Sequence, residues 1–252
     1  ESNIFGSILH KVMEELYQPF CGKMVTADLL KAIRKDTPML MGAVARAFAE
    51  IFFKTDIVRP LTGQNFLIGE MIRKYVEKVL ERDAKLTPFR YIESEKKIKN
   101  LFPLADKSEI QLKGFIDRID EVRDAVRIID YKSGSGTTQF TSVEALFDKE
   151  DKDRAKAVMQ VFMYAWMYGA KAIQPGIYYM RTLFSPSFDS GIYRRTDRFK
   201  TEQVLDFDNY RTDFENSLRN CLDEIFDTET PFRQTPNGKA CMYCPFKDIC
   251  GK

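Results

Sequence analysis

Two aspartates and a lysine have the types and spacing needed to hydrolyse a phosphodiester bond. Asp117 lies in the segment GFIDRID and Asp130 in the segment IIDYKSG, with Lys132 two residues further on. Residues i and i+2 of a β-strand point to the same side, so the side chains of Asp130 and Lys132 are predicted to project together. Two carboxylates suit Mg²⁺ or Mn²⁺. A nearby ammonium can orient or deprotonate a water molecule and offset charge on a phosphorane.

The same residues also have structural interpretations. Asp-x-Lys occurs by chance in most proteins, and Asp117 and Asp120 beside Arg118 are consistent with a surface ion-pair patch on an edge strand. Asp130 follows an apolar run, where an unpaired carboxylate is costly to bury. That position favours a chemical role, and a salt bridge with Lys132 is the structural alternative.

Hydrophobic periodicity predicts the elements that position these residues. Strands are predicted at residues 89–99, 109–119, 125–132 and 173–183, and the second and third of these form a β-hairpin. Helices are predicted at residues 4–17, 26–35, 39–54, 64–84, 152–168 and 201–227. This order indicates an α/β core with an all-helical insertion at about residues 22–87.

Three further polar residues lie on predicted helices. His10 is the only histidine of the chain and lies on the flank of the first helix. Gln160 and Tyr164 are one turn apart on one helix face. Considered alone, a single histidine on an amphipathic helix is more often structural than a ligand. Considered alone, Gln160 and Tyr164 are an ordinary pair on a helix surface.

Together these residues form four motifs in a fixed order. They are GxxxH at residues 6–10, GxxDRID at 114–120, IIDYKSG at 128–134 and QxxxY at 160–164. The set resembles the RecB-like and AddB-like nuclease domains of the PD-(D/E)XK superfamily, which work in helicase–nuclease machines. The resemblance implies a restriction-endonuclease-like fold, in which a central mixed sheet is flanked by helices.

The resemblance also implies a role for each motif residue. The implied metal ligands are His10, Asp117, Asp130 and the backbone carbonyl of Tyr131. Lys132 matches the catalytic lysine, and Gln160 and Tyr164 match the helix that positions this lysine and the DNA strand. The family often has a glutamate on the preceding strand, a place that Glu93 or Glu95 could fill. Lys152, Arg154 and Lys156, which lead into the Gln160 helix, are candidate DNA contacts, with a solvated helix face as the alternative.

Three cysteines crowd into the C-terminal tail, residues 239–252. The spacing Cys241-x2-Cys244-x5-Cys250 resembles the C-terminal half of the iron–sulfur staple of AddB-type nucleases. In that family the fourth cysteine precedes GxxxH, whereas here only Cys21 and Cys221 remain. We therefore expect an incomplete cluster in this chain and a complete [4Fe-4S] cluster in a longer parent protein. Zinc is the lesser alternative, because three thiolates without a nearby histidine make a poor closed site.

Size and composition set wider limits. The chain has 252 residues, 44% of them hydrophobic and 30% charged, and a net charge of +2. These values predict one globular domain, residues 1–252, and neither require nor exclude nucleic acid. No membrane span or signal peptide is apparent, so a cytoplasmic location is expected.

We therefore expect a Mg²⁺- or Mn²⁺-dependent DNA nuclease, an exonuclease of DNA-end processing and recombinational repair. No Walker A motif is present, so any ATP-driven unwinding would come from a helicase subunit or from an N-terminal helicase-like region outside this chain. The alternative is an inactive nuclease-fold module that binds DNA or docks a subunit. A module of that kind usually loses the lysine or an aspartate, and this chain keeps them. A stand-alone iron–sulfur or zinc protein would leave GxxxH and GxxDRID unexplained.

Overall fold

The computed structural model describes residues 2–151, 153–242 and 244–251. The helices are α1 (Ser2–Tyr17), α2 (Ala27–Lys35), α3 (Thr37–Ala47), α4 (Gly63–Ala84), α5 (Val143–Leu146), α6 (Lys156–Tyr168), α7 (Arg211–Phe226) and α8 (Gly238–Cys241). The strands are β1 (Met24–Val25), β2 (Phe89–Pro103), β3 (Glu109–Val122), β4 (Ala125–Lys132), β5 (Gln139–Phe140), β6 (Ile173–Tyr179), β7 (Tyr193–Arg195) and β8 (Thr201–Gln203). None of the described helices is long and apolar enough to cross a membrane.

The main sheet has five strands in the order β1-β2-β3-β4-β6. The pairs β1-β2, β2-β3 and β3-β4 are antiparallel, and the pair β4-β6 is parallel. A smaller sheet has the order β5-β7-β8. The main sheet is therefore mixed and flanked by helices, which confirms the predicted restriction-endonuclease-like fold class.

The two faces of β4 belong to two different hydrophobic clusters. Ile129 and Tyr131 pack in a cluster with α1 to α4. Ile128 packs in the other cluster with α6 and α7. This alternation places α1 on one face of the sheet and α6 on the other. Side chains from both layers can therefore meet at the end of β4.

The helical segment before the sheet differs from its prediction in two places. The two-residue strand β1 lies inside residues 22–87, which were expected to be all-helical, and its Val25 pairs with Phe89 of β2. A strand this short has no periodicity of its own, and its pairing with β2 and the burial of Val25 define it. In addition, the α-helix that begins at Thr37 continues as a π-helix, Phe48–Phe53.

Several predicted boundaries in the C-terminal half are wrong. The helix expected at 201–227 begins only at Arg211, because Thr201–Gln203 pairs with β7 and the Asp206 carboxylate caps a short 3-10 turn. The strand expected to reach residue 183 ends at Tyr179. Helix α6 begins at Lys156, and the earlier predicted start, Lys152, lies outside the described residues. Strand β2 runs four residues further than predicted, because β3 pairs with it as far as Pro103.

Candidate active site

The site begins where the pairing of β3 with β4 stops. The last paired residues at this end are Arg118 and Ile129. The next residue of β3 is Asp117, whose Oδ2 accepts a hydrogen bond of 2.7 Å from the backbone N–H of Tyr131. The Asp117 carboxylate therefore accepts the hydrogen bond that a backbone carbonyl of β3 would accept if the two strands were still paired here. This bond holds a buried carboxylate at the end of the central strand.

His10 joins this carboxylate from α1. Its Nδ1 lies 3.5 Å from Oδ1 of Asp117 and 3.6 Å from Oε1 of Glu95, and its Nε2 lies 3.0 Å from the carbonyl oxygen of Tyr131. One ligand atom from each of His10, Glu95 and Asp117 lies within 4.8 Å of the others. Within the described ranges, these three form the group suited to hold a metal ion.

The structure selects Glu95 over Glu93. A register shift between Tyr91 and Glu93 interrupts the pairing of β2 with β3, and Glu95 has a left-handed φ of 46°. The carboxylate of Glu95 faces His10, whereas that of Glu93 accepts a hydrogen bond of 2.6 Å from Lys96. Of the two glutamates, Glu95 is therefore the one that lies beside His10 and Asp117.

A second set of contacts approaches the site from α6. The Nζ of Lys132 lies 2.9 Å from Oδ2 of Asp130 and donates a hydrogen bond of 2.7 Å to Oε1 of Gln160. The amide of Gln160 in turn donates to the hydroxyl of Tyr164 at 2.8 Å. Asp130 and Lys132 do project together, as the strand parity predicted. The QxxxY motif contacts the lysine directly through its glutamine.

The glycine of the GxxDRID motif is explained by Tyr164. A Cβ atom built on Gly114 would lie 2.7 Å from Cε1 of Tyr164, closer than real Cβ contacts. Only glycine leaves room for the ring on β3. The sequence showed the motif but not this contact, because Gly114 and Tyr164 are fifty positions apart along the chain.

Burial and charge shift the proton affinities of the site. Burial alone lowers the pKa of His10, but the carboxylates of Glu95 and Asp117 outweigh it and raise this pKa to about 9. Burial raises the pKa of Asp117 to about 7, which His10 opposes and Asp130 reinforces. Burial also raises the pKa of Asp130, against the attraction of Lys132. Without a bound cation, Asp117 and Asp130 therefore hold their protons more tightly than exposed aspartates do.

The donor set fits a divalent cation. Carboxylate and carbonyl oxygens suit Mg²⁺ and Mn²⁺, whereas the imidazole nitrogen of His10 suits a transition metal better than Mg²⁺. Asp130, a predicted ligand, is not one of the three grouped residues, and its buried Oδ2 forms an ion pair of 2.9 Å with Lys132. A cation bound nearby would give these buried carboxylates a further positive partner, which lowers the cost of burying their charge.

A buried ionic network lies on the α1–α4 side of the sheet. Arg118 donates hydrogen bonds to Asp120 at 2.7 Å and to Asp83 of α4 at 2.5 Å, and Arg127 donates to Asp120 at 2.7 Å. These side chains are buried, so the alternative of a surface patch at Asp120 and Arg118 is wrong. Sequence reasoning missed Asp83. Its only signal was a charge within the apolar face of a helix.

The site opens into a cleft of about 650 Å³. The cleft lies between the start of α1, the loop after β4 and the start of α6, and Lys132 and Gln160 line it. Arg154 and Lys156 also line it, beside Asp153. Arg154 and Lys156, two of the three predicted DNA contacts, are therefore adjacent to the site. The third, Lys152, lies outside the described residues.

None of the cysteines is among the described residues that line this cleft. Cys241, Cys244 and Cys250 are free thiols, as are Cys21 and Cys221. In the described parts of the chain, no three of these sulfur atoms come within 4.8 Å of one another. Cys221 is half-buried on α7, and burial raises the pKa of its thiol. The completeness of an iron–sulfur cluster stays a prediction.

Comparison with known protein families agrees with the geometry. Residues 1–251 match the family model of the PD-(D/E)XK nuclease superfamily. No curated protein sequence gives a significant match. Because the match covers nearly the whole chain, the chain belongs to this superfamily. Membership implies a metal-dependent nuclease, a hydrolase that acts on DNA.

Proposed function

We propose that this member of the PD-(D/E)XK superfamily hydrolyses DNA phosphodiester bonds at the site formed around Tyr131. The observation that carries the proposal is the meeting of two sets of contacts at this residue. Its N–H and C=O contact Asp117 and His10, and its chain neighbours are Asp130 and Lys132. One residue thus joins a candidate metal site to a lysine.

The proposed metal ligands come from four elements. They are His10 of α1, Glu95 of β2, Asp117 of β3 and Asp130 of β4, with the carbonyl of Tyr131 beside them. A divalent cation bound there would supply Lewis acidity and lower the pKa of a bound water. The burial of the Asp130 and Asp117 carboxyl groups and the raised pKa of Asp117 support this assignment, because buried carboxylates gain from a bound cation.

Lys132 is the proposed catalytic residue for proton handling and charge stabilisation. Its ammonium is held by Asp130 and Gln160 and lines the cleft, so it is fixed before a phosphate arrives. A fixed cation stabilises negative charge that develops on phosphate oxygens without the cost of reorganisation. Gln160 and Tyr164 act as positioning residues.

The finer assignment is an exonuclease that uses Mg²⁺ in DNA-end processing and recombinational repair. Arg154 and Lys156 would contact phosphates of the DNA in the cleft. A helicase subunit, or a helicase-like region outside this chain, would supply strand separation in the cytoplasm. The tail cysteines Cys241, Cys244 and Cys250 would bind a [4Fe-4S] cluster with a cysteine from the longer parent.

Digestion of matched DNA substrates tests this assignment. Linear DNA with free ends, the same DNA with blocked ends, and closed circles are incubated with Mg²⁺, Mn²⁺ or a chelator. We expect loss of free-ended DNA only with metal present, and slower loss of the blocked and circular forms. Equal rates on circles and free ends would contradict the exonuclease assignment. If none of the substrates were digested with metal present, the proposed nuclease activity would be contradicted.

A further inference from the structure

The hairpin of β2 and β3 extends beyond the rest of the sheet. Strand β4 pairs with β3 only from Arg118 to Val122, whereas β2 pairs with β3 as far as Glu109. One face of this two-stranded arm is covered by α6. There Asn100 donates a hydrogen bond of 2.9 Å to the carbonyl of Met167, and the ring of Tyr164 lies on Gly114.

The other face of the arm is exposed and basic. The register places Lys99 directly opposite Lys113, and Lys97 opposite Phe115. All four side chains are exposed, Phe115 by 51%. Within the described residues, none of these three lysines forms an ion pair. Like charges directly across a ladder destabilise it, so the sheet gains nothing from this arrangement.

This face leads to the candidate metal site. Phe115 precedes Asp117 by two residues, and Ile116 between them is buried in the cluster that contains α6. Phe115 therefore faces away from α6, and Asp117 lies on the same side because it contacts His10 of α1. The rise of a strand puts Phe115 about 7 Å and Lys113 about 13 Å from Asp117. The basic face therefore begins within a few residues of Asp117, beside the proposed site of phosphate hydrolysis.

We propose that this face, formed by Lys97, Lys99, Lys113 and Phe115, binds single-stranded DNA where it leaves the metal site. The proposal rests on the proposed nuclease function. The lysines complement phosphates, and an unpaired base stacks on the ring of Phe115. Lys97 lies 5.9 Å from the centroid of this ring, at the outer limit of a cation–π contact, so a base can displace it. Duplex DNA has no unpaired base to offer the ring.

Salt dependence of binding tests the lysines. A fluorescent single-stranded oligothymidylate is titrated with the protein in Ca²⁺ at several salt concentrations. For the double variant Lys99→Ala/Lys113→Ala we expect the slope of log K against log salt to fall by about 1.4, from about 0.7 for each phosphate contact. Lys99→Arg/Lys113→Arg should restore the slope. The control Lys35→Ala/Lys171→Ala removes two exposed lysines elsewhere and should leave it unchanged.

Stacking is tested separately. Phe115→Ala should weaken oligothymidylate binding about tenfold, which lies within the range for loss of one base–aromatic stack. Phe115→Tyr should retain the affinity. Duplex DNA of the same length should lose less affinity than the single strand in Phe115→Ala. The side chain is exposed, so an unchanged melting temperature is expected to accompany these results.

The inference would be overturned if the lysine variant and the Phe115 variant both bound single-stranded DNA with the affinity and salt slope of the parental protein. It would also be overturned if the parental protein failed to bind single-stranded DNA. An equal loss for duplex and single strand would overturn the single-strand assignment. Digestion of DNA by a parental protein whose hairpin variants bind normally would refute the inference alone. Binding through the hairpin without digestion in Mg²⁺ or Mn²⁺ would refute the proposed nuclease alone.

Discussion

Tyr164 occupies the space that a side chain at Gly114 would need. Because Tyr164 also accepts a hydrogen bond from Gln160, which accepts one from Lys132, the glycine of one motif determines the position of the lysine of another. The GxxDRID and QxxxY motifs are thus parts of one arrangement. Through Gln160 this arrangement contacts the Lys132 ammonium at the end of β4.

Replacing this glycine is expected to impair catalysis more than folding. Gly114→Ala should push the Tyr164 ring away and shift Gln160 and Lys132 with it. A displacement of about 1 Å can cost about a hundredfold in rate. We expect kcat to fall about ten- to a hundredfold, while KM for DNA changes little. Gly238→Ala is the control, since a Cβ atom there meets nothing within 4 Å. A fall in melting temperature with unchanged kcat would mean that the glycine is only structural.

Glu95 and Glu93 are expected to respond differently to the same substitution. Glu95→Gln removes a charge that faces His10, so half-maximal activity should need about ten- to a hundredfold more Mn²⁺, as for lost metal-site partners. Glu93→Gln removes a half-exposed ion pair with Lys96 and should leave the Mn²⁺ requirement unchanged. Titration of activity with Mn²⁺ at one pH measures both. Equal effects, or the reverse order, would exclude Glu95 as the ligand.

Metal affinity is expected to rise with pH. A metal ion binds the neutral imidazole and the ionised carboxylate, so protons compete with it. Because the pKa of Asp117 is raised to about 7 and that of His10 to about 9, both groups carry protons below these values. Mn²⁺ should therefore bind more tightly as pH rises through about 7 towards about 9, with release of protons. Calorimetry in two buffers of different ionisation enthalpy counts these protons. Binding without proton release would contradict the shifted pKa values.

The buried network is expected to stabilise the attachment of α4 to the sheet. Asp83→Ala leaves Arg118 with one carboxylate partner in a buried site, and breaking such a pair costs about 3–5 kcal/mol. Urea denaturation of the metal-free protein measures the free energy of unfolding. Asp248→Ala, at an exposed aspartate, is the control and should change it by less than about 0.5 kcal/mol. A loss no larger than that of the control would show that Arg118 does not depend on Asp83.

Strand parity predicted that Asp130 and Lys132 project together, and the family resemblance placed Gln160 and Tyr164 beside the lysine. Asp130 and Lys132 are two residues apart on one strand, and Gln160 and Tyr164 are one helical turn apart. Such relationships are local, so the period of the element determines them. The contacts of Lys132 with Asp130 and Gln160 confirm the predicted proximity, while the catalytic roles stay predictions.

Other features depend on contacts between distant segments. The choice of Glu95 rests on a register shift in β2 and on its own left-handed φ, neither of which alternation reveals. Asp83 is held in the core by Arg118, Tyr17 and Tyr178, which all lie on other elements. Strand β8 was assigned to a helix because three exposed residues carry no strand pattern without their partner β7.

The most direct measurement is digestion of free-ended linear DNA by the parental protein, Asp130→Ala and Lys132→Ala, with Mg²⁺ or Mn²⁺ and with a chelator. Asp130→Ala removes a proposed metal ligand, and Lys132→Ala removes the proposed catalytic cation. We expect digestion by the parental protein only with metal, and a loss of about a hundredfold or more in each folded variant. Digestion by Lys132→Ala at the parental rate, or by the parental protein in the chelator, would contradict a metal-dependent nuclease at this site.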